Sequence, residues 1–247
     1  MITIDGMGAN KKTARIAGLL YLIVVVTGFF SILYVPSQVT VQGDASATVS
    51  NILASKELFR VGIVAGLICY TTFLLLPFAL YKLLSKVGKG VAVLMVAFAV
   101  ASVPISFVNL LNKLDILSLL SEANYLQAFT TEQLHAQVML SLDAYGNGIL
   151  VSEIFWGLWL LPFGYLVFKS GFLPKILGIL LMMGCFGYLI NFFGQALSPG
   201  YAETGIATFV SLPSALGEVG TCLWLLLVGI REQNLAVGGT GTQPTRL

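Results

Sequence analysis

The chain has 247 residues, of which 57% are hydrophobic and 10% are charged. Soluble domains carry about 25% charged residues, so this composition excludes an ordinary water-facing surface. The net charge of +2 is too small to indicate nucleic-acid binding, and the basic residues form no patch with interleaved aromatic side chains. The composition therefore indicates an integral membrane protein, whose lipid-facing surface is apolar as well.

Six apolar runs are long enough to cross a bilayer as helices. They occupy residues 14–35, 58–84, 91–112, 131–168, 172–197 and 205–230. The first run follows Lys11 and Lys12, as in a signal peptide, but about 20 apolar residues exceed the apolar region of such a peptide. We therefore predict that this run is retained as the first membrane helix.

A polar stretch at residues 36–57 follows the first run. Asp44 is placed to cap a short helix there, because its carboxylate can accept from the free amides of the first turn. Val49, Ile52 and Leu53 would share a face of that helix, which predicts a helix lying on the membrane surface.

The third and fourth runs continue beyond the length that a bilayer requires. Helical spacing extends from residue 91 to about residue 126, and Thr130 with Gln133 fits a capping box. No proline interrupts the fourth helix before Pro162, which allows roughly 57 Å of helix at about 1.5 Å per residue. The hydrocarbon core measures about 30 Å, so we predict a hairpin, joined near residues 127–130, that projects outward.

The positions of lysine and arginine predict the orientation. With the N-terminus inside, Lys56, Arg60 and Lys113 are the outer three of 13 basic residues, which leaves ten in the inner segments. The predicted fold is all-α, a polytopic bundle of six transmembrane helices in the cell membrane with both termini cytoplasmic. Its parts are an N-terminal segment at 1–12, a membrane domain at 13–230 and a disordered tail at 231–247.

Several short segments carry a family resemblance. They are Arg-Ile-Ala-Gly-Leu-Leu-Tyr at 15–21, Gly-Asp-Ala-Ser-Ala-Thr at 43–48, Leu-Tyr-Lys-Leu-Leu at 80–84 and Lys-Ser-Gly-Phe-Leu-Pro at 169–174. Across about residues 13–230 the chain resembles a bacterial membrane family known as domain of unknown function 4386. The resemblance implies a multi-pass helical protein and supplies no activity, substrate or catalytic residue.

Polar side chains inside the spans are the candidate functional residues, because such groups are costly in lipid and face a cavity or a partner. At about 1.5 Å per residue, Glu218 lies about 18 Å and Glu153 about 22 Å from the inner helix ends. The other members of the predicted set share helical stripes with them or lie farther out, and are Asp143, Asn147, Asn109, Lys113, Asn191 and Ser214. Together they predict an outward-open polar cavity that narrows toward Glu218.

A structural interpretation of these residues stays open, since Ser, Thr and Asn side chains also form hydrogen bonds between membrane helices. For Glu153 and Glu218 we favour a functional role, because no Lys or Arg lies at their depth. We predict that Glu218 faces the interior and that Glu153 is its nearest acidic neighbour.

The sequence gives little indication of catalysis. His135 is the single histidine, which excludes a bis-histidine haem site within one chain. No His-Glu-x-x-His motif occurs. Cys69, Cys185 and Cys222 all lie in apolar runs, and their odd number and the absence of a Cys-x-x-Cys motif argue against a disulfide framework and a thiol–disulfide enzyme. We therefore predict no cofactor and no metal site.

Three functions remain open. The first is a protein, such as a transporter, whose polar cavity accepts a small ligand, a proton or a cation. The second is a structural or accessory membrane protein that binds a partner through the outer hairpin. The third is a membrane-embedded enzyme of unrecognised type. The sequence predicts the lipid bilayer as surroundings and no nucleic-acid partner, and it leaves the ligand and the oligomeric state open.

Overall fold

The computed structural model describes residues 4–230, and every regular element in this range is helical. The longer elements are α1 (Ile4–Gly28), a π-helical segment (Phe29–Tyr34), α2 (Val35–Val39), α3 (Ala45–Ala54), α4 (Lys56–Leu84), α5 (Lys89–Leu119), α6 (Thr131–Ser170), α7 (Lys175–Leu197) and α8 (Ile206–Leu227). Short 3-10 turns at Asn124–Ala128 and Tyr201–Thr204 precede α6 and α8. The tail predicted at 231–247 lies outside the described residues.

Six helical segments of the described chain are long and apolar enough to cross a bilayer. The first is Asn10–Val39, which joins α1, the π-helical segment and α2, and the other five coincide with α4 to α8. The predicted all-α fold is therefore confirmed, with six candidate membrane-spanning helices in the described residues. Because α1 begins at Ile4, residues 4–12 continue the first helix.

The long helices form a ring in chain order, in which α1 packs against α4 at one side and against α8 at the other. Aromatic rings fill its centre. Trp159 stacks on Phe163 with ring centroids 5.1 Å apart and meets Phe73 edge-on at 5.2 Å. Small residues permit the helix contacts: a Cβ atom on Gly164 of α6 would lie 2.6 Å from the carbonyl oxygen of Gly178 on α7.

The α5–α6 hairpin is present, and we call the end of the bundle that carries it the outer end. Thr130 and Gln133 form the predicted capping box, with reciprocal hydrogen bonds of 3.3 and 2.9 Å. The α6 helix has 40 residues, about 60 Å at 1.5 Å per residue. The α5 helix ends at Leu119, short of the predicted residue 126, because the polar residues that follow favour turns. The Ser121 hydroxyl donates to the Ser118 carbonyl there.

The short helix α3 begins where the sequence predicted. The amide of Ala47 donates to Asp44 Oδ1 at 2.8 Å, which is the expected cap. Val49 and Ile52 are buried in an outer cluster, whereas Leu53 is 48% exposed because it is turned about 100° from Ile52. This cluster joins α3 to α2, α4, α5 and α6.

Candidate functional site

The polar residues predicted to form one funnel lie in separate clusters. We call them the acid cluster (Glu218, Tyr21 and Tyr188), the lysine cluster (Lys113, Ser31, Tyr70 and Tyr145) and the amide cluster (Asn191, Ser211 and Tyr201). Each cluster joins a different set of helices, and each is built around a different polar group: a carboxyl, an ammonium or an amide.

The acid cluster joins α1, α7 and α8 inside the ring. The Tyr21 hydroxyl donates to Glu218 Oε2 at 3.0 Å, and the Tyr188 hydroxyl donates to Oε1 at 3.3 Å. Both carboxylate oxygens therefore have a donor, and in the described part of the chain no lysine or arginine forms an ion pair with Glu218. Hydrogen bonds from neutral donors stabilise a carboxylate, but no basic side chain of the described residues compensates the negative charge of its ionised form.

A close helix crossing brings these groups together. A Cβ atom on Gly18 of α1 would lie 2.5 Å from the amide nitrogen of Leu226 on α8, so only glycine permits this approach. Tyr21 follows Gly18 by three residues, and Glu218 precedes Cys222 by four. Residues at these spacings lie about one turn apart on the same side of a helix. The crossing therefore sets Tyr21 directly against Glu218.

A cavity of about 160 Å³ lies against the acid cluster. Its walls are largely aromatic and include Tyr21, Tyr70, Phe73, Trp156, Trp159 and Tyr188. Among its described lining residues, Glu218 is the sole carboxylate. A cavity of about 150 Å³ holds one benzene molecule, so this space fits a chemical group of similar size beside the carboxylate.

Glu153 lies on α6, half-buried, close to the acid cluster. Its Oε2 atom is enclosed and has no hydrogen-bond partner in the described structure. The hydroxyl of Tyr188 is near enough to both acids to interact electrostatically with Glu153 as well as with Glu218. No hydrogen bond between the two carboxyl groups is seen among the described residues, so Tyr188 is their shared neighbour.

The lysine cluster lies nearer the outer end and is closely packed. Lys113 is 2% exposed, and its Nζ donates to the Ser31 carbonyl at 2.8 Å and lies 4.1 Å from the ring centroid of Tyr145. The hydroxyls of Ser31, Tyr70 and Tyr145 interact electrostatically, but none makes a hydrogen bond of ordinary geometry. A carbonyl dipole and an aromatic face thus hold the ammonium, and within residues 4–230 no carboxylate pairs with it.

The π-helical segment explains why the Ser31 carbonyl needs this partner. The Val35 amide, four residues on, donates instead to the Phe30 carbonyl. The next residue is Pro36, which has no N–H. Neither neighbouring amide can therefore satisfy the Ser31 carbonyl, and Lys113 supplies the missing donor from α5.

The predicted amide side chains Asn109 and Asn191 tie helices together. Asn109 Nδ2 donates to the Tyr145 carbonyl at 2.9 Å, which links α5 to α6. Asn191 Nδ2 donates to Ser211 Oγ at 2.8 Å, which links α7 to α8, and Asn191 Oδ1 accepts from the Tyr201 hydroxyl at 2.9 Å. Ser214 is buried against α7 and donates to the Ser211 carbonyl of its own helix. The structural interpretation accounts for these contacts.

Asp143 and Asn147 do not reach the interior, because both are exposed while Tyr145 between them is buried. At about 100° per residue, the inner face of α6 runs through Tyr145, Trp156 and Trp159. The predicted stripe followed polar residues and so lay to one side of this face.

Sequence reasoning missed the aromatic half of the site. Tyr21, Tyr188, Trp156 and Trp159 were not among the candidates, although all four line the cavity. A usable signal was present, because a tyrosine in the middle of an apolar span has a hydroxyl that needs a partner. Tyr21 and Tyr188 both lie in the middle of an apolar span, and both hydroxyls donate to Glu218.

Comparison with known proteins gives a family and one distant relative. The family model described as domain of unknown function, DUF4386, matches residues 16–229, which contain all three clusters. A protein of Archaeoglobus fulgidus described as uncharacterized is 29% identical over 153 residues, which are 61% of this chain and 73% of that protein. No solved structure matches the chain.

Proposed function

This chain belongs to the DUF4386 family of membrane proteins, and we propose that it is a transporter that binds a small cation beside Glu218 in exchange for a proton. The observation that carries this proposal is the uncompensated carboxylate in an aromatic cavity. Ionisable groups at such positions in a bilayer are costly and mark ion or substrate pathways. Aromatic faces also attract cations, and most strongly where water is excluded.

One carboxyl group holds either a proton or a cation, and this sets the chemistry of the exchange. The neutral acid loses its proton as the ligand enters: Glu218–COOH and L⁺ give Glu218–COO⁻·L⁺ and H⁺. The hydroxyls of Tyr21 and Tyr188 keep their protons and donate to the carboxylate in the bound state. Cation affinity should therefore fall in acid, where protons compete for Glu218.

Binding of simple cations by the protein in lipid nanodiscs tests the proposal. Sodium, potassium, methylammonium and tetramethylammonium would each be titrated by calorimetry in two buffers of different ionisation enthalpy, which counts the released protons. We expect one of these cations to bind and to release close to one proton. Glu218→Gln keeps the side-chain shape and should weaken that binding by at least about 100-fold, equivalent to about 2.7 kcal/mol.

Asp143→Asn is the matched control, because it removes an exposed acid from the same bundle. It should change the affinity by less than about twofold. Failure of all four cations to bind, or an unchanged affinity in Glu218→Gln, would overturn the proposed function.

We further propose that both termini are cytoplasmic and that the α5–α6 hairpin projects outward from the cell membrane. The excess of basic residues in the predicted inner segments supports the orientation. The length of α6 supports the projection, since about 60 Å of helix exceeds a hydrocarbon core of about 30 Å.

Cysteine labelling in intact cells checks this topology, after replacement of the three buried cysteines by alanine. Tyr125 lies in the hairpin connection and is 68% exposed, so Tyr125→Cys should react with an impermeant maleimide added outside. Lys86→Cys, between α4 and α5, should react only after the membrane is opened. Labelling of Lys86→Cys from outside would contradict the proposed orientation and indicate the opposite one.

A further inference from the structure

The contact between α1 and α8 is tight at one end and open at the other. Toward the inner end, Gly18 lies against the α8 backbone, and Cys222 and Leu225 are almost fully buried. The Cys222 thiol also lies 3.6 Å from the Gly18 carbonyl oxygen. These residues define the sides on which the two helices face each other.

Toward the outer end the same two sides are uncovered. Ala215 and Thr208 precede Cys222 by seven and 14 residues, which is close to two and four helical turns, yet both are exposed. On the first membrane helix, Phe29 of the π-helical segment follows Gly18 by about three turns and is 59% exposed. The two helices therefore diverge from Glu218 outward.

The neighbouring contact between α7 and α8 stays closed over the same length. A Cβ atom on Gly187 would collide with the Val210 carbonyl oxygen, and Asn191 is hydrogen-bonded to Ser211. The outer half of α8 is thus held to α7 and separated from α1, which leaves a gap on one side of the ring.

The gap leads into the cavity beside Glu218. Val25 and Gly28 of α1 and Phe29 of the π-helical segment line that cavity together with Glu218 and the aromatic rings. Phe29 and Ala215, on the two edges of the gap nearest the cavity, are apolar and lie on helices long and apolar enough to cross the membrane. Such an opening is compatible with acyl chains and not with a column of water.

From this geometry we infer that the ligand is an amphiphilic organic ammonium, whose head group binds at Glu218 while its alkyl chain leaves through the α1–α8 gap into lipid. This inference rests on the proposed function and names its substrate class. A cavity of about 160 Å³ holds a head group the size of benzene but no long chain. Aromatic walls suit a weakly hydrated ammonium, because its positive charge lies against the ring faces.

Two probes separate the head group from the chain. Tetramethylammonium and octyltrimethylammonium would be titrated into protein-loaded nanodiscs, with empty nanodiscs as the correction for partition into lipid. We expect the octyl compound to bind at least tenfold more tightly after this correction. Both probes should lose at least about 100-fold in affinity with Glu218→Gln, equivalent to about 2.7 kcal/mol.

Ala215→Phe places a large side chain in the gap, and Leu216→Phe is its control on the adjacent, 61% exposed position of α8. Ala215→Phe should lower the affinity for octyltrimethylammonium at least tenfold and leave the affinity for tetramethylammonium unchanged. The unchanged tetramethylammonium affinity also reports that the variant is folded. Leu216→Phe should affect neither probe.

Equal affinities for the two probes, or an equal loss of both with Ala215→Phe, would overturn the inference. In either case tetramethylammonium still binds through Glu218 in the unaltered protein, so the proposed function stands. If neither ammonium shows Glu218-dependent binding, the inference fails, and the sodium and potassium titrations then decide the proposed function separately.

Discussion

The lysine cluster and the acid cluster place ionisable groups of opposite charge inside the same bundle. The ammonium and the carboxyl group are stabilised there by different kinds of partner. Lys113 is 2% exposed, closely packed and bonded to a carbonyl oxygen that has no partner in its own helix. Glu218 is half-buried, receives two hydroxyl donors and lies against open space. In the described structure neither forms an ion pair.

The difference separates a structural charge from a site. Around Lys113 each short contact belongs to the protein, so the ammonium completes the hydrogen bonding of another helix. Around Glu218 the protein supplies donors but no positive charge, and a cavity remains where that charge would lie. Exposure, cavity volume and the chemistry of the partners distinguish the two.

The largest expected effect on stability comes from Lys113→Ala. The change leaves the buried Ser31 carbonyl without a donor and opens a cavity, which together should lower the free energy of unfolding by about 3 kcal/mol. Unfolding in mixed micelles with increasing dodecyl sulfate measures this loss. Arg60→Ala, which removes an exposed ion pair with Glu57, should cost less than about 0.5 kcal/mol.

Glu218→Gln should be close to neutral in the same unfolding assay, since a glutamine accepts from the Tyr21 hydroxyl as well. The distinction between a structural Lys113 and a functional Glu218 is contradicted if Glu218→Gln destabilises the fold as much as Lys113→Ala does, because Glu218 would then be structural.

Tyr188→Phe should have the next largest effect, and on binding instead of stability. It removes one donor to the carboxylate, and a hydrogen bond to a charged group is worth about 1.5–3 kcal/mol. We expect cation affinity to fall by about tenfold or more in calorimetric titrations. Tyr165→Phe is the control, because Tyr165 is 43% exposed on α6 and absent from the cavity lining. Equal affinities for Tyr188→Phe and the unaltered protein would remove Tyr188 from the site.

A smaller effect tests the explanation given for Lys113. Pro36→Ala restores an amide near the Ser31 carbonyl, so Lys113→Ala should cost about 1 kcal/mol less in the Pro36→Ala background. A double-mutant cycle of unfolding free energies measures this coupling. Strictly additive effects would mean that the π-helical segment does not create the need for Lys113. Pro104→Ala, in α5, serves as the control proline.

Local signals in the sequence predicted the fold well. The Thr130 capping box and the Asp44 cap need residues within three positions of each other, and both appear as predicted. The end of α5 at Leu119 was missed because apolar spacing continues into a segment whose serine side chains favour a turn. No local pattern in the sequence indicates the π-helical segment, so the role of Lys113 could not be predicted from the sequence.

The site was harder to predict because its parts are remote in sequence. Glu218 and Lys113 were both expected in one cavity, since polarity and depth do not reveal which side of a helix faces the centre. The face of α6 was misplaced by the polar Asp143 and Asn147, although Trp156 and Trp159 mark the inner side. Tyr21 could be paired with Glu218 only once the α1–α8 crossing was known.

The crossing of α1 and α8 also has a consequence for how the protein is made. Tyr21 and Glu218 are 197 residues apart, and synthesis at about 5–20 residues per second separates their appearance by roughly 10–40 seconds. During that interval α1 is already in the bilayer, and the side that will meet α8 has only lipid or earlier helices beside it. The ring closes, and the carboxylate gains its donor from α1, only when the last membrane helix has been inserted. A chain that ends before residue 206 would lack α8 and with it the acid cluster.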